Sequence, residues 1–129
     1  MQISGWMNRQ VVSCLATDDS NQAVRLMWDK DVGSLPVLDR SGRLVGIVTD
    51  RDVCMGAYFQ GRALHDLAVS ACMQSPVRTL APEESIEKAL DSMSEHQLRR
   101  LPVVDALGRL VGMFSLADAA RAAQSSMEA

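Results

Sequence analysis

Two matched pairs of residues in this 129-residue chain have the types and spacing to do chemistry: Thr49 with Asp52, and Ser115 with Asp118. Each hydroxyl stands three residues before its carboxylate, in Gly46-Ile47-Val48-Thr49-Asp50-Arg51-Asp52 and Gly112-Met113-Phe114-Ser115-Leu116-Ala117-Asp118. Both stretches read as a strand feeding a helix, where a hydroxyl and the first free helix amides favour an anionic phosphate. The carboxylate beside them can accept hydrogen bonds from two neighbouring hydroxyl groups. The same residues also serve as ordinary helix caps, a role that binding does not exclude. The cations differ between the motifs. Arg51 lies inside the first, where the second has Ala117, while Arg99 and Arg100 precede Leu101 where the first half has Gly33 and Ser34. An arginine offers phosphate a bidentate fork, so two unequal sites are expected.

The pairs match because the chain repeats itself. Leu35-Pro36-Val37 returns as Leu101-Pro102-Val103, and Leu44-Val45-Gly46 as Leu110-Val111-Gly112, at a constant offset of 66 residues. The same shift carries Ala23 to Ala89, Met27 to Met93, Met7 to Met73 and Ile3 to Val69. Such repetition sets the architecture before any single residue is interpreted. Two units are predicted, residues 1–63 and residues 64–129, and because either alone would bury little surface they are expected to share a core.

Composition narrows the function classes. With 13 basic and 16 acidic residues the net charge is −3, which argues against a general attraction to nucleic acid. No apolar run reaches the ~20 residues that span a bilayer, and the start lacks the pattern of a signal peptide, so a cytoplasmic protein is expected. Cys14, Cys54 and Cys72 are odd in number and lack metal-ligand spacing, which predicts reduced thiols used as small apolar residues. His65 and His96 likewise have no ligand partners at useful spacing and are expected at the surface. Neither a glycine-rich phosphate loop nor a nucleophile elbow occurs, so no catalytic arrangement is predicted.

The elements that must position the motifs can be read in order. A helical turn or two over Ile3 to Met7 precedes a strand from Val11 to Leu15. Asp18-Asp19-Ser20 caps a helix reaching about Lys30. Leu35–Asp39 and Arg43–Thr49 form a hairpin around Arg40-Ser41-Gly42, followed by a helix from near Asp50 to Gly61 that carries Val53, Met55, Tyr58 and Phe59. The linker from Leu64 to Met73 holds enough apolar residues to be packed. The second half repeats the scheme: a strand over Val77–Leu80, a helix started by Pro82-Glu83-Glu84 with a buried stripe of Ile86, Ala89, Leu90 and Met93, a hairpin of Leu101–Val104 and Leu110–Phe114, and a final alanine-rich helix that frays from Ser125 to Ala129. Trp28 matches Ser94 and so lies off the repeated stripe.

The paired motifs, each preceded by Leu-Pro-Val and a hairpin, resemble tandem CBS domains, the arrangement called a Bateman module, and the length resembles stand-alone bacterial CBS pairs such as hypoxic response proteins. The resemblance covers essentially the whole chain. It implies an α/β (α+β) fold of two β-α-β-β-α repeats related by a pseudo-two-fold axis in one compact module, with two clefts between the halves. It also implies adenosine-containing ligands, AMP, ADP or ATP before S-adenosylmethionine, NADH or a cyclic dinucleotide, and no obligatory cofactor. Asp52 and Asp118 would hold ribose, with Asp118 facing a solvent-accessible cleft. Thr49 and Ser115 would meet phosphate, and Arg51, Arg99 and Arg100 would supply its cations. By the same resemblance Gln10, Val11, Val12, Val32 and Gly33 would serve the Ser115/Asp118 cleft, and Pro76, Val77, Leu98 and Arg99 the Thr49/Asp52 cleft. The function implied is a non-catalytic sensor, binding neither nucleic acid nor membrane, that signals to an effector protein. The competing reading is a constitutive scaffold with vestigial clefts. A homodimer is expected through Val53, Tyr58 and Phe59 on one helix and the alanine-rich face of the other.

Overall fold

The computed structural model describes residues 1–128. Its mixed α+β chain divides into two compact units: Val12–Val77, and Met1–Val11 together with the chain from Arg78 onward. The expected division at residues 63 and 64 is therefore not the spatial one. Residues 1–11 belong with the second repeat, and the linker belongs with the first.

The Val12–Val77 unit contains β1 (Cys14–Leu15), α1 (Ser20–Lys30), β2 (Ser34–Leu38), β3 (Leu44–Thr49) and α2 (Asp50–Gln60). The sheet order is β1-β2-β3, with β1 parallel to β2 and β2 antiparallel to β3. A helical crossover produces the parallel pair and a tight turn the antiparallel one. α1 begins at a reciprocal cap in which Asp19 Oδ1 accepts from the Gln22 amide and Gln22 Oε1 from the Asp19 amide. α2 ends on Gly61 in the left-handed conformation, φ 61°. The linker forms two short 3-10 turns, Leu64–Asp66 and Val69–Ala71, and buries Leu67 and Val69.

The other unit contains α3 (Ile86–Glu95), the antiparallel pair β4 (Arg100–Val104) and β5 (Leu110–Ser115), and α4 (Leu116–Glu128), with a 3-10 turn at Ile3–Gly5. Four expectations change here. The stretch Val77–Leu80 is not a strand, because only Leu80 pairs, through a single parallel bridge to Val103. α3 starts at Ile86 rather than at Pro82-Glu83-Glu84, because Ser85 Oγ accepts the Lys88 amide and fixes the first turn; Leu90, expected in the stripe, is exposed. α4 continues through Ser125 and Ser126 to Glu128 instead of fraying; Ala129, the end of the expected frayed tail, lies outside the described residues. The first strand is also shorter than the expected Val11–Leu15.

Each unit has its own core, and the two cores correspond residue by residue. Val69, Cys14, Ala23, Met27, Leu35, Val37, Val48 and Val53 cluster in one. Ile3, Leu80, Ala89, Met93, Leu101, Val103, Phe114 and Ala119 stand at the matching positions in the other. The segment leading into each repeat is held across the outer hairpin strand of the unit it packs in: Gln74 and Ile47 exchange backbone hydrogen bonds of 2.7 and 3.0 Å, as do Asn8 and Met113 at 2.8 and 2.9 Å. This crossing explains the repeated glycine before Ile47 and Met113. A Cβ at Gly46 would stand 3.0 Å from the Gln74 carbonyl oxygen, and one at Gly112 3.0 Å from that of Asn8, so only a residue without a side chain admits the passing backbone.

Candidate functional site

Both hydroxyl and carboxylate pairs fold into reciprocal caps at a strand-to-helix junction. At the start of α2, Thr49 Oγ1 accepts from the Asp52 amide at 3.0 Å and Asp52 Oδ2 accepts from the Thr49 amide at 3.0 Å. At the start of α4, Ser115 Oγ accepts from the Asp118 amide at 3.2 Å, while Asp118 Oδ2 accepts from the Ser115 amide at 2.8 Å and from its hydroxyl at 3.0 Å. These contacts satisfy helix-start donors that otherwise lack partners. The cap role weighed for these residues is thus real.

The loop before each hairpin is tied to the same junction. The Gly33 carbonyl accepts from the Asp50 amide at 3.1 Å, and the Arg99 carbonyl from the Leu116 amide at 2.9 Å. Ser34 pairs with Thr49 across β2 and β3, and Arg100 with Ser115 across β4 and β5. Val32 and Gly33 therefore stand beside the Thr49 motif of their own unit, and Arg99 and Arg100, both exposed, beside the Ser115 motif. Arg51 is exposed on the first turn of α2, and Leu98 is partly exposed ahead of β4. Val12 packs against the core of its unit, whereas Pro76 is exposed and Val77 half-buried where that unit ends. Gln10 is exposed and Val11 half-buried at the end of the N-terminal segment. Beside the first motif, Trp28, Asp31, Val32, Gly33 and Asp50 contribute to the wall of a cavity of about 330 Å³.

The carboxylates differ from expectation in their surroundings. Asp118 does not lie open to solvent in its unit: it is 9% exposed, and its Oδ1 accepts from Arg121 Nη2. Asp52 is half-buried, and both its oxygens accept from the Gln74 side-chain amide at 3.1 Å. Neither Gln74 nor Arg121 was singled out from the sequence. Signals for both existed: Gln74 follows Met73 as Asn8 follows Met7, and Arg121 sits one helical turn after Asp118, where side chains share a face.

The thiols also divide. Cys14 is buried and its pKa is pushed up to about 11, chiefly by burial and further by Asp18. Cys72 is half-buried with its Sγ 3.7 Å from Ser20 Oγ, but Cys54 is exposed, so it does not act as the small core residue expected. His65 lies at the surface and His96 is half-buried.

Comparison with known proteins accounts for this geometry. The CBS domain profile matches residues 2–56 and 69–125. A CBS domain-containing protein, YhcV of Bacillus subtilis, is 37% identical over 114 residues, covering 88% of this chain and 79% of that protein. Hypoxic response protein 1 of Mycobacterium tuberculosis is 32% identical over 111 residues, 85% of this chain and 77% of the relative. Among solved structures, the complex of CBSX2 with AMP superposes with a TM-score of 0.84 at 26% identity, covering 98% of both chains; CBSX2 comes from Arabidopsis thaliana. No helix among the described residues is long and apolar enough to cross a membrane. With two profile matches that together span most of its length, the chain belongs to the CBS domain family as a tandem pair.

Proposed function

We propose that this chain is a non-catalytic regulatory module that binds an adenosine nucleotide of the AMP, ADP or ATP class at its two motifs and signals its occupancy to a partner protein. The observation that carries this reading is the pair of matching caps, Thr49 with Asp52 and Ser115 with Asp118, in a fold shared with the AMP-bound CBSX2. On this reading the carboxylates take the ribose hydroxyls, the cap hydroxyls and helix amides face phosphate, and Arg51, Arg99 and Arg100 supply positive charge. The apolar Val11, Val12, Val32, Val77 and Leu98, with Gly33 and Pro76, are proposed to cradle the base. The competing reading, a constitutive scaffold, draws support from the fact that each carboxylate already carries three hydrogen bonds.

Isothermal titration with AMP, ADP and ATP separates the two. A sensor binds at least one of them, and Asp52→Ala and Asp118→Ala each weaken one class of site by roughly tenfold or more, since a hydrogen bond to a charged group contributes about 1.5–3 kcal/mol. Affinity unchanged in both variants removes the ribose role. No binding by the unsubstituted chain favours the scaffold.

A further inference from the structure

Arg121 is where the two motifs part company, because the matching residue of the first repeat is Met55. Its Nη2 donates to Asp118 Oδ1 and also, at 3.3 Å, to the backbone carbonyl of Trp6. Its guanidinium carbon lies 5.9 Å from the centroid of the Trp6 ring. The matching residue of Trp6 is Cys72, so this relay has no counterpart in the first repeat. Asp118 Oδ2 already accepts two hydrogen bonds from Ser115. A carboxylate offers about four acceptor positions, so no more than one remains at Asp118. The two hydroxyls of a ribose need two. The side chain of Asp118 is 12% exposed while that of Arg121 is 60% exposed, so the group free to move into water is the cation. At Asp52 the corresponding donor is the neutral amide of Gln74.

We propose that Arg121 is a latch on the second motif: it competes with a ligand's vicinal hydroxyls for Asp118, and its release lets go of the N-terminal segment at Trp6. This rests on the reading of the site as one for adenosine nucleotides, and it adds the means by which occupancy of Asp118 reaches residues 1–11. Two consequences separate it from a merely structural ion pair. The latch weakens with salt, because an exposed pair is screened. It is also absent from the first motif, whose amide donor carries no charge.

Adenosine is the suitable probe, since it has the ribose hydroxyls and no charge of its own. In an Asp52→Ala background, which weakens the first motif, adenosine should bind the second motif of Arg121→Met roughly two- to fivefold more tightly than that of the Arg121 chain, the range that releasing an exposed ion pair allows. Its affinity for the Arg121 chain should rise as salt is raised toward roughly 1 M, where screening is short-ranged, and stay flat for Arg121→Met. Arg121→Lys keeps the charge and should keep the salt dependence. With Trp28→Phe leaving Trp6 as the one tryptophan, adenosine should shift Trp6 emission in the Arg121 chain and not in Arg121→Met. Equal or weaker adenosine binding by Arg121→Met, with binding itself intact, overturns the latch and leaves the nucleotide reading standing. Failure of adenosine, AMP, ADP and ATP to bind the unsubstituted chain and Arg121→Met alike overturns the nucleotide reading and the latch with it.

Discussion

At the scale of single residues, carboxylates do most of the local organising, and they do it in pairs. Asp39 accepts from the Ser41 hydroxyl at 2.7 Å and from the Ser41 and Arg43 amides, closing the first hairpin turn. Asp105 closes the second through the Leu107 and Arg109 amides and the Arg109 Nε. Both carboxyls are held below the usual carboxylate range, Asp39 chiefly by the Ser41 hydroxyl and Asp105 chiefly by the Arg109 amide. The sign follows from linkage. A carboxyl whose folded pKa is depressed contributes stability above its unfolded value of about 3.9, and that contribution is lost as pH falls through the folded value. Thermal melting should therefore drop as pH falls below the unfolded value, and Asp39→Asn with Asp105→Asn should flatten that acid limb of the profile. An unchanged acid limb in the double variant would remove the turn carboxylates as its cause. These turns were legible in the sequence because Asp, Ser and Gly define a turn locally. The partner of Asp52 was not, since Gln74 reaches across 22 positions; Arg121 stands only three residues after Asp118, but its tie to the Trp6 carbonyl spans 115.

At the scale of elements, the 66-residue offset foretold the hairpins, helices α1 to α4 and the matching buried positions, because a hydrophobic pattern repeated in register must bury the same face twice; it did not foretell that each unit would close a core of its own where a shared one was expected. It was less informative about boundaries. Val77–Leu80 has the composition of a strand, yet Leu80 alone finds a partner. Nor does a repeat show in sequence which hairpin its leading segment will cross, and that is why the packing of residues 1–11 with the second half was not foreseen. Where the cores differ, the differences compensate: Val48 and Val53 in one unit become Phe114 and Ala119 in the other. One position is larger and the other smaller within the same cluster, which keeps the summed volume roughly constant. Ala119→Val should thus overpack beside Phe114 and cost about 1–3 kcal/mol. Phe114→Val should leave a cavity, with a loss below the ~3–5 kcal/mol typical of Phe to Ala. The double variant should lose less than the sum, since the two sites share one space. Chemical denaturation of the four chains measures this coupling, and strict additivity would show that the residues do not compensate.

At the scale of the whole molecule, the open question is what covers the outward faces of α2 and α4. Sequence reading grouped Val53 with Tyr58 and Phe59 and treated the alanines of α4 as one surface. The structure sorts them: Val53, Ala119 and Ala122 are buried in their own units, whereas Ala120 and Ala123 are exposed. Tyr58 and Phe59 are each 75% exposed and meet edge to face, with ring centroids 5.2 Å apart. Leu116 on α4 and Met55 on α2 add partly exposed apolar surface. Two large aromatic rings left in water on α2, and outward positions on α4 small enough for close approach, each fit a helical face that pairs with a copy of itself, and closed two-fold pairing is the commonest solution among soluble oligomers. We therefore expect a homodimer joined through these helical faces. Because the outward residues contribute nothing to either core, substituting them tests association without unfolding the chain. Light scattering at micromolar concentration should give the mass of two chains, and Phe59→Glu with Ala120→Glu should reduce it to one while the circular dichroism spectrum stays unchanged. A one-chain mass for the unsubstituted protein would sink the dimer, and a two-chain mass that survives both substitutions would place the contact on a different face.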